Sequence, residues 1–172
     1  KIIKPNINQL INDHTNLVKK ISWHLHGRVN SIIEIEDIIG RDIAKPSTKI
    51  LSNAIKGTVV FVTGAGGSIG TELCNQIIRL KPKQLILLDS SETNLYHIEK
   101  AISKMNIKET SIKTILGSTC DKNHMRKIFS LNKIDTVFHA AAYKHVPLVE
   151  KNPLVGIYNN VVSTRIICSL AM

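Results

Sequence analysis

From Gly57 onward, short apolar runs alternate with longer stretches in which apolar residues recur every three or four positions. Apolar runs rich in β-branched residues are typical of strands buried on both faces of a sheet, whereas the wider spacing is typical of helices. The pattern predicts four strands, at residues 58–62, 84–89, 111–117 and 134–140. It predicts a helix after each strand, at residues 68–80, 91–105, 120–131 and from about 153 to 172.

Strict alternation of strands and helices predicts an α/β fold. Each strand-helix-strand unit forms a right-handed crossover, which makes the sheet parallel and places helices on both of its faces. We expect a Rossmann-like, doubly wound sheet with strand order 3-2-1-4. Residues 57–172 would form this domain, which ends before a fifth strand and leaves the edge of strand four open.

Residues 1–56 lack this alternation. Apolar residues at helical spacing predict a helix over 8–24, and Gly40 and Pro46 then mark a connection. So short a segment buries too little surface to fold alone. We therefore interpret residues 1–56 as a helical and linker segment, the end of an upstream domain followed by a linker.

The most informative motif is a glycine-rich turn, TGAGGSIG at 63–70, between the first strand and its helix. Gly64, Gly67 and Gly70 have the GxxGxxG spacing. Glycine lets the chain turn sharply, approach a pyrophosphate closely and pack the helix against the strand. The helix start then presents free amide groups to the phosphates. The strand-turn-helix context predicts a dinucleotide site.

Asp89 ends the second strand, 19 residues after Gly70. A carboxylate at this place can accept both ribose hydroxyls of the adenosine half, and it repels a 2′-phosphate. Ser90 follows, where an arginine would favour the phosphate. The sequence therefore predicts NAD or NADP as cofactor and favours NAD. The alternative is that Asp89 only caps the next helix.

The composition narrows the class of protein. With 43% hydrophobic and 21% charged residues, the 172-residue chain is typical of a globular protein. Its net charge of +10 is compatible with a lysine-rich surface, an anionic partner or nucleic acid. Scattered lysines and only 4% aromatic residues disfavour nucleic acid. The three scattered cysteines predict neither a disulfide framework nor a metal site, and no apolar run approaches the ~20 residues of a membrane span.

Four segments together resemble one group of extended short-chain dehydrogenases/reductases. These segments are IEDIIGRD (35–42), VTGAGGSIGTELCNQI (62–77), LLDSSETNLYHIE (87–99) and VFHAAAYKHVPLVEKNPLVGIYNNV (137–161). The group is the membrane-anchored nucleotide-sugar 4,6-dehydratases, also called polysaccharide biosynthesis proteins. The resemblance covers about residues 30–172.

The resemblance implies a parent enzyme, an NAD(P)-dependent lyase that converts UDP-N-acetylglucosamine to a 4-keto-6-deoxy sugar for bacterial capsule, O-antigen or other glycans. The parent would be a homo-oligomer that does not bind nucleic acid. Helices outside this segment would anchor it at the cytoplasmic face of the inner membrane, and this segment alone would be soluble and inactive. Two alternatives remain open, a nucleotide-sugar epimerase and a non-catalytic dinucleotide-binding module.

The resemblance also assigns residues to the site. Cofactor contacts are implied for Gly64, Gly67, Ser68, Ile69, Gly70, Asp89, Ser90, Ser118, Thr119, Ala140, Ala141, Ala142, Lys144 and Asn160. Lys144 and His145 would reach the substrate side. Ser118 and Ser163 depart from the family pattern, which has an acid and a glycine there. The family's catalytic Tyr-xxx-Lys follows a fifth strand, so no catalytic residue is expected here, and the pair Tyr96 and Lys100 is expected on a helix surface.

Overall fold

The computed structural model describes residues 48–105, 107 and 109–172, and the predicted helix over 8–24 lies outside these residues. The strands are β1 (Val59–Thr63), β2 (Gln84–Asp89), β3 (Ser111–Leu116) and β4 (Thr136–His139). The helices are α1 (Thr48–Ile55), α2 (Ser68–Arg79), α3 (Glu92–Lys104), α4 (Lys122–Leu131), α5 (Val146–Lys151), α6 (Pro153–Ile157) and α7 (Ser163–Ala171). A π-helical segment, Tyr158–Val162, joins α6 to α7.

The four strands form one parallel sheet in the order β3-β2-β1-β4. This confirms the predicted doubly wound, Rossmann-like arrangement. Register places Thr63, the last residue of β1, beside Leu88 of β2 and His139 of β4. Because the strands are parallel, their carboxyl ends meet at one edge of the sheet, and ligands of such folds bind outside this edge.

Alternate residues of the central strands point to two separate cores. On one face, Val60, Val62, Leu85 and Leu87 pack with the apolar sides of α2 and α3, and Ile55 of α1 joins them. The other face packs with α4 and α7, and its buried residues are Phe61, Ile86, Leu88, Met125, Ile128, Ile166 and Ile167. Burial on both faces explains why the strand sequences are continuous apolar runs.

The structure corrects two of the predicted elements. The fourth strand, predicted over 134–140, pairs with β1 only over Thr136–His139. The side chain of Asp135 accepts a hydrogen bond from the amide of Val59 at 2.7 Å, so it marks the start of pairing. The six-residue helix α5 was not predicted, because it is too short to show a helical period.

By its length and composition alone, the last helical stretch, Pro153–Ala171, meets the requirements of a membrane-spanning helix. The sequence pattern did not predict this. Core helices of other proteins pass the same test. Here Ser163, Ile166 and Ile167 are buried, and the two isoleucines belong to the core formed with α4. The second half of the stretch therefore packs in the hydrophobic core, as a helix of a folded domain does.

Leu87 offers a test of this packing. It lies in β2, is fully buried, and packs in the core formed with α2 and α3. We expect Leu87→Ala to lower the free energy of unfolding by about 2–5 kcal/mol, because the lost methyl groups leave a cavity. Urea unfolding followed by circular dichroism measures the change.

Leu131→Ala is the matched control. Leu131 ends α4 and is 68% exposed, so its truncation is expected to change the free energy of unfolding by no more than about 0.5 kcal/mol. Equal losses for the two variants would contradict the burial of β2 between two helical layers.

Candidate functional site

A crevice lies at the edge of the sheet where the carboxyl ends of the strands meet. It consists of two neighbouring cavities, a larger one of about 550 Å³ and a smaller one of about 190 Å³. Gly67, Ala140, Ala142 and Tyr143 border both cavities. An elongated ligand could therefore extend from one cavity into the other along the turn after β1.

That turn has no space for side chains at three of its glycines, Gly64, Gly66 and Gly70. Gly64 has a φ of +64°, and a Cβ on it would lie 2.7 Å from the amide nitrogen of Ala141. A Cβ on Gly70 would lie 1.9 Å from the carbonyl oxygen of Gly64. The glycines at 64 and 70 thus allow β1 to turn directly into α2 beside the backbone of the loop that follows β4.

The start of α2 faces the larger cavity. Its N-cap is Gly67, and no side chain caps the helix there. The first turn, Gly67 to Gly70, lines the cavity. Backbone amides at an uncapped helix start carry partial positive charge, so this turn is suited to bind phosphate oxygens.

Asp89 connects the end of β2 to the glycine-rich turn. The residue is 7% exposed. One carboxylate oxygen accepts a hydrogen bond from the amide of Gly66 at 2.9 Å, and the other accepts one from the amide of Ser91 at 2.9 Å. Each oxygen retains a further lone pair, and Asp89 lines the smaller cavity beside Ser90. The carboxylate therefore both positions the turn and can accept hydroxyl groups of a ligand.

The smaller cavity contains the predicted residues of the third and fourth strand ends. Ser118, Thr119, Ala140, Ala141 and Ala142 all line it, together with Gly64 and Gly67. Sequence reasoning missed five further lining residues: Leu88, Asn94, Gly117, Tyr143 and Asn159. Asn94 lies so close that a Cβ on Gly66 would be 2.5 Å from its side chain, a contact between α3 and the turn that no local pattern reveals.

The larger cavity brings together Ser68, Ile69 and Gly70 with Lys144 and His145. Its remaining wall comes from α5 and α6, and sequence reasoning had assigned no site residue there: Leu148, Val149, Asn152, Val155 and Gly156. All five lie in the PLVEKNPLVG stretch that carries the family resemblance, which was the available signal.

Asn160 lines neither cavity. Its side-chain oxygen accepts a hydrogen bond from the amide of Tyr143 at 2.8 Å, and its side-chain nitrogen donates one to the carbonyl of Tyr143 at 3.0 Å. These two bonds hold the loop after β4 against the π-helical segment. The contact of Asn160 with the cofactor remains a prediction, and the observed contact is with the loop that borders both cavities.

Two titratable side chains lie in unusual surroundings. Burial raises the pKa of the Cys74 thiol to about 12, so this cysteine stays protonated at neutral pH. Burial lowers the pKa of His139 from its ordinary value. Tyr96 and Lys100 line neither cavity: the Lys100 ammonium lies 5.6 Å from the ring of Tyr96 on α3. Within residues 48–172, as far as the structure describes them, no cluster of His, Cys, Asp or Glu could hold a metal ion.

Several known proteins are similar in sequence to this part of the chain. The capsular polysaccharide biosynthesis protein CapD of Staphylococcus aureus is 35% identical over 133 residues, 77% of this chain and 22% of CapD. The uncharacterized membrane protein MJ1061 of Methanocaldococcus jannaschii is 35% identical over 122 residues, 71% of this chain and 34% of that protein. The UDP-N-acetylglucosamine 4,6-dehydratase (inverting) of Campylobacter jejuni is 26% identical over 106 residues, 61% of this chain and 30% of the enzyme. The chain thus spans about a fifth to a third of the length of these relatives.

Solved structures have the same fold. The UDP-glucose 4-epimerase of Bifidobacterium longum, in complex with NAD⁺ and UDP, matches with a TM-score of 0.56 and 27% identity, over 66% of this chain and 33% of that one. The family model described as polysaccharide biosynthesis protein matches residues 60–172, from β1 to the end of the chain. The chain therefore belongs to the polysaccharide biosynthesis protein family.

Proposed function

We propose that this chain binds a nicotinamide dinucleotide across the two cavities, as the cofactor-binding part of a nucleotide-sugar 4,6-dehydratase in polysaccharide biosynthesis. The observation that carries the proposal is the turn at 64–70, which has no space for a Cβ at Gly64 or Gly70 and exposes an uncapped helix start to the crevice. Such a turn is suited to a pyrophosphate.

The residues around the turn fit the rest of such a cofactor. Asp89 and Ser90 in the smaller cavity would hold the adenosine ribose, and the first turn of α2 would hold the pyrophosphate. The nicotinamide would extend toward the larger cavity, where Lys144 and His145 would face the substrate. When bound, the dinucleotide supplies a hydride acceptor for sugar oxidation. The chain's own part is to bind it, orient it and exclude water from its reactive end.

The dehydratase is favoured over the epimerase by the family, and a UDP-N-acetylglucosamine 4,6-dehydratase is among the relatives. The epimerase stays the second candidate, since the Bifidobacterium longum enzyme, whose structure holds NAD⁺ and UDP, has the same fold. A dinucleotide-binding module without chemistry is the third. The proposed substrate of the parent protein is therefore a UDP-sugar, of which UDP-N-acetylglucosamine is the first choice.

We further propose that the parent protein is a homo-oligomer that acts at the cytoplasmic face of the membrane. The similarity to a membrane protein of Methanocaldococcus jannaschii supports membrane association. Under this proposal, residues 57–172 are the dinucleotide-binding domain, and residues 1–56 connect it to an upstream part.

The relative affinity of the chain for NAD and NADP tests the role of Asp89. We expect the 172-residue chain to bind NAD about tenfold more tightly than NADP, because a 2′-phosphate would lie against a carboxylate, and like charges at such distances repel by about 1–4 kcal/mol. Asp89→Ala should weaken NAD binding and reduce the preference to about threefold or less. Isothermal titration calorimetry with each dinucleotide measures both.

Glu72→Gln is the matched control, since it removes a carboxylate from the exposed side of α2, where Glu72 accepts a hydrogen bond from Gln76. Its preference for NAD should equal that of the wild type. Binding of neither dinucleotide would contradict the proposed function, and an unchanged preference in Asp89→Ala would contradict the role of the carboxylate.

The glycine turn itself can be tested by adding one methyl group. Gly70→Ala would bring a Cβ within 1.9 Å of the Gly64 carbonyl, so α2 must move away from the turn. We expect this variant to bind NAD at least about tenfold more weakly, because the amides of the first turn then lose their alignment with the phosphates. Calorimetry at neutral pH measures the loss.

Gly67→Ala is the comparison, since its Cβ would lie 3.3 Å from the same carbonyl and a shift of a few tenths of an ångström accommodates it. We expect it to weaken binding less than Gly70→Ala. Unfolding curves of both variants show whether a loss of binding only reflects a loss of folded protein. The reverse order of affinities would contradict the proposed fit at the turn.

The mass of the nucleotide-sugar product identifies the reaction of the parent protein. The full-length protein, incubated with UDP-N-acetylglucosamine, should yield a nucleotide sugar that has lost one molecule of water, detected by mass spectrometry. A product of unchanged mass but different chromatographic retention would identify an epimerase instead. Dinucleotide binding with no conversion of any UDP-sugar would favour the non-catalytic module.

A further inference from the structure

His139 joins three structural elements at the base of the crevice. It ends β4 and lies beside Thr63, the last residue of β1. Its Nδ1 lies 2.6 Å from the hydroxyl of Thr63. Its Nε2 lies 3.1 Å from the hydroxyl of Thr164 and 3.5 Å from that of Ser163, both on α7. One imidazole therefore connects the strand before the glycine turn to the helix behind the loop at 140–145.

The neighbouring hydrogen bonds determine which ring nitrogen carries the proton. The hydroxyl of Thr164 donates to the carbonyl of Asn160 at 2.6 Å, and the hydroxyl of Ser163 donates to the carbonyl of Asn159. Both oxygens can then only accept a hydrogen bond from His139. The neutral ring must carry its hydrogen on Nε2, and Nδ1 accepts the hydroxyl hydrogen of Thr63.

A second proton has no favourable place. It would have to sit on Nδ1, opposite the Thr63 hydroxyl, which would then have to rotate and donate elsewhere. Thr63 is fully buried, and burial leaves a polar hydrogen without water as a partner. Protonation of His139 would therefore disrupt its hydrogen bond with Thr63, while the backbone pairing of β1 with β4 stays in place.

The two connected segments are walls of the crevice. Thr63 directly precedes Gly64, and its carbonyl accepts a hydrogen bond from the amide of Ala140 at 3.1 Å. Ala140 borders both cavities. On the other side of the ring, the carbonyl of Asn160 accepts the Thr164 hydroxyl while its side chain holds Tyr143. Movement of the imidazole would thus reach both the glycine turn and the loop after β4.

We propose that His139 is a positioning residue of the crevice: its neutral Nε2–H form bridges Thr63 and Thr164, fixes the glycine turn relative to the loop at 140–145, and makes dinucleotide binding sensitive to acid. This inference rests on the proposed function for its ligand. The bridge itself does not depend on that function, since it is a property of the chain alone.

The charges around the ring are consistent with such a bridge. The groups that face His139 from β1 and α7 are hydroxyls, and burial lowers its pKa. Arg165, the next residue on α7, is exposed. Because the pKa is lower in the folded chain than its ordinary 6.5, stability is intact above pH 6.5 and is lost as the pH falls through the folded value.

Nitrogen-15 NMR of the wild-type chain tests the bridge without any ligand. We expect His139 to show the Nε2–H tautomer at pH 7.5 and to titrate below its ordinary value of 6.5. Its signals are assigned by their loss in His139→Asn or, where that variant does not fold, by correlation to the backbone. An Nδ1–H tautomer, or titration at or above the ordinary value, would overturn the proposal.

Calorimetry with NAD between pH 7.5 and pH 5 tests the consequence. For the wild type we expect affinity to fall by up to about tenfold for each pH unit below the pKa of His139, because only the neutral form holds the crevice. His139→Asn keeps an acceptor near the Thr63 hydroxyl but cannot titrate. We expect it to bind about twofold to tenfold more weakly at pH 7.5, after the loss of one hydrogen bond, and to lose less affinity in acid.

His97→Asn is the control, since His97 is exposed on α3 and lines neither cavity. It should keep the full acid dependence of the wild type. Acid weakening of equal size in His139→Asn would overturn the proposal. A wild-type chain that binds no dinucleotide at pH 7.5 would refute the proposed function, while the NMR measurement would still decide whether the bridge exists.

Discussion

The start of helix α2 packs directly against the residue that follows strand β1. Gly70 lies so near the carbonyl of Gly64 that a single methyl group would overlap with it. This contact fixes where the helix begins, and therefore where its free amides point. The larger cavity, the position of the first turn of α2 and the fit to a pyrophosphate all depend on that one separation.

The sheet supplies the second condition for a site. Strand β1 lies between β2 and β4. The chain runs from β1 to β2 and β3 on one side of β1, and then crosses back from β3 to β4 on its other side. The loops after β1 and β4 consequently separate and leave a crevice between them. Asp89 closes one end of this crevice by holding the turn to β2, and the loop at 140–145 forms the other side. The lining of the larger cavity is mostly apolar, whereas that of the smaller one is about half polar, which suits a ligand with two chemically different ends.

The hydrogen bonds behind the crevice join defined donors and acceptors, as do those inside it. His139, Thr63 and Thr164 form a chain of hydrogen bonds with defined donors, and Asn160 adds two bonds to the backbone of Tyr143. None of these groups is charged in the neutral form of the bridge. Directional bonds between neutral groups can hold two loops in place without the desolvation cost of a buried ion pair. One proton added to His139, however, would disturb the whole set of hydrogen bonds.

The sequence by itself determined the glycine spacing at 64–70 and the acid at residue 89, because each of these depends on residues near one another in the chain. The order of strands followed from the alternation of strands and helices together with the right-handed crossover rule. Only the tertiary structure decided where β4 stops, how α5 and α6 line the larger cavity, and that Asn94 touches Gly66. It also decided the partners of Asn160 and His139, which lie 17 to 76 residues away along the chain. Such contacts depend on packing between layers of the fold, and local periodicity or motif spacing carries no record of them.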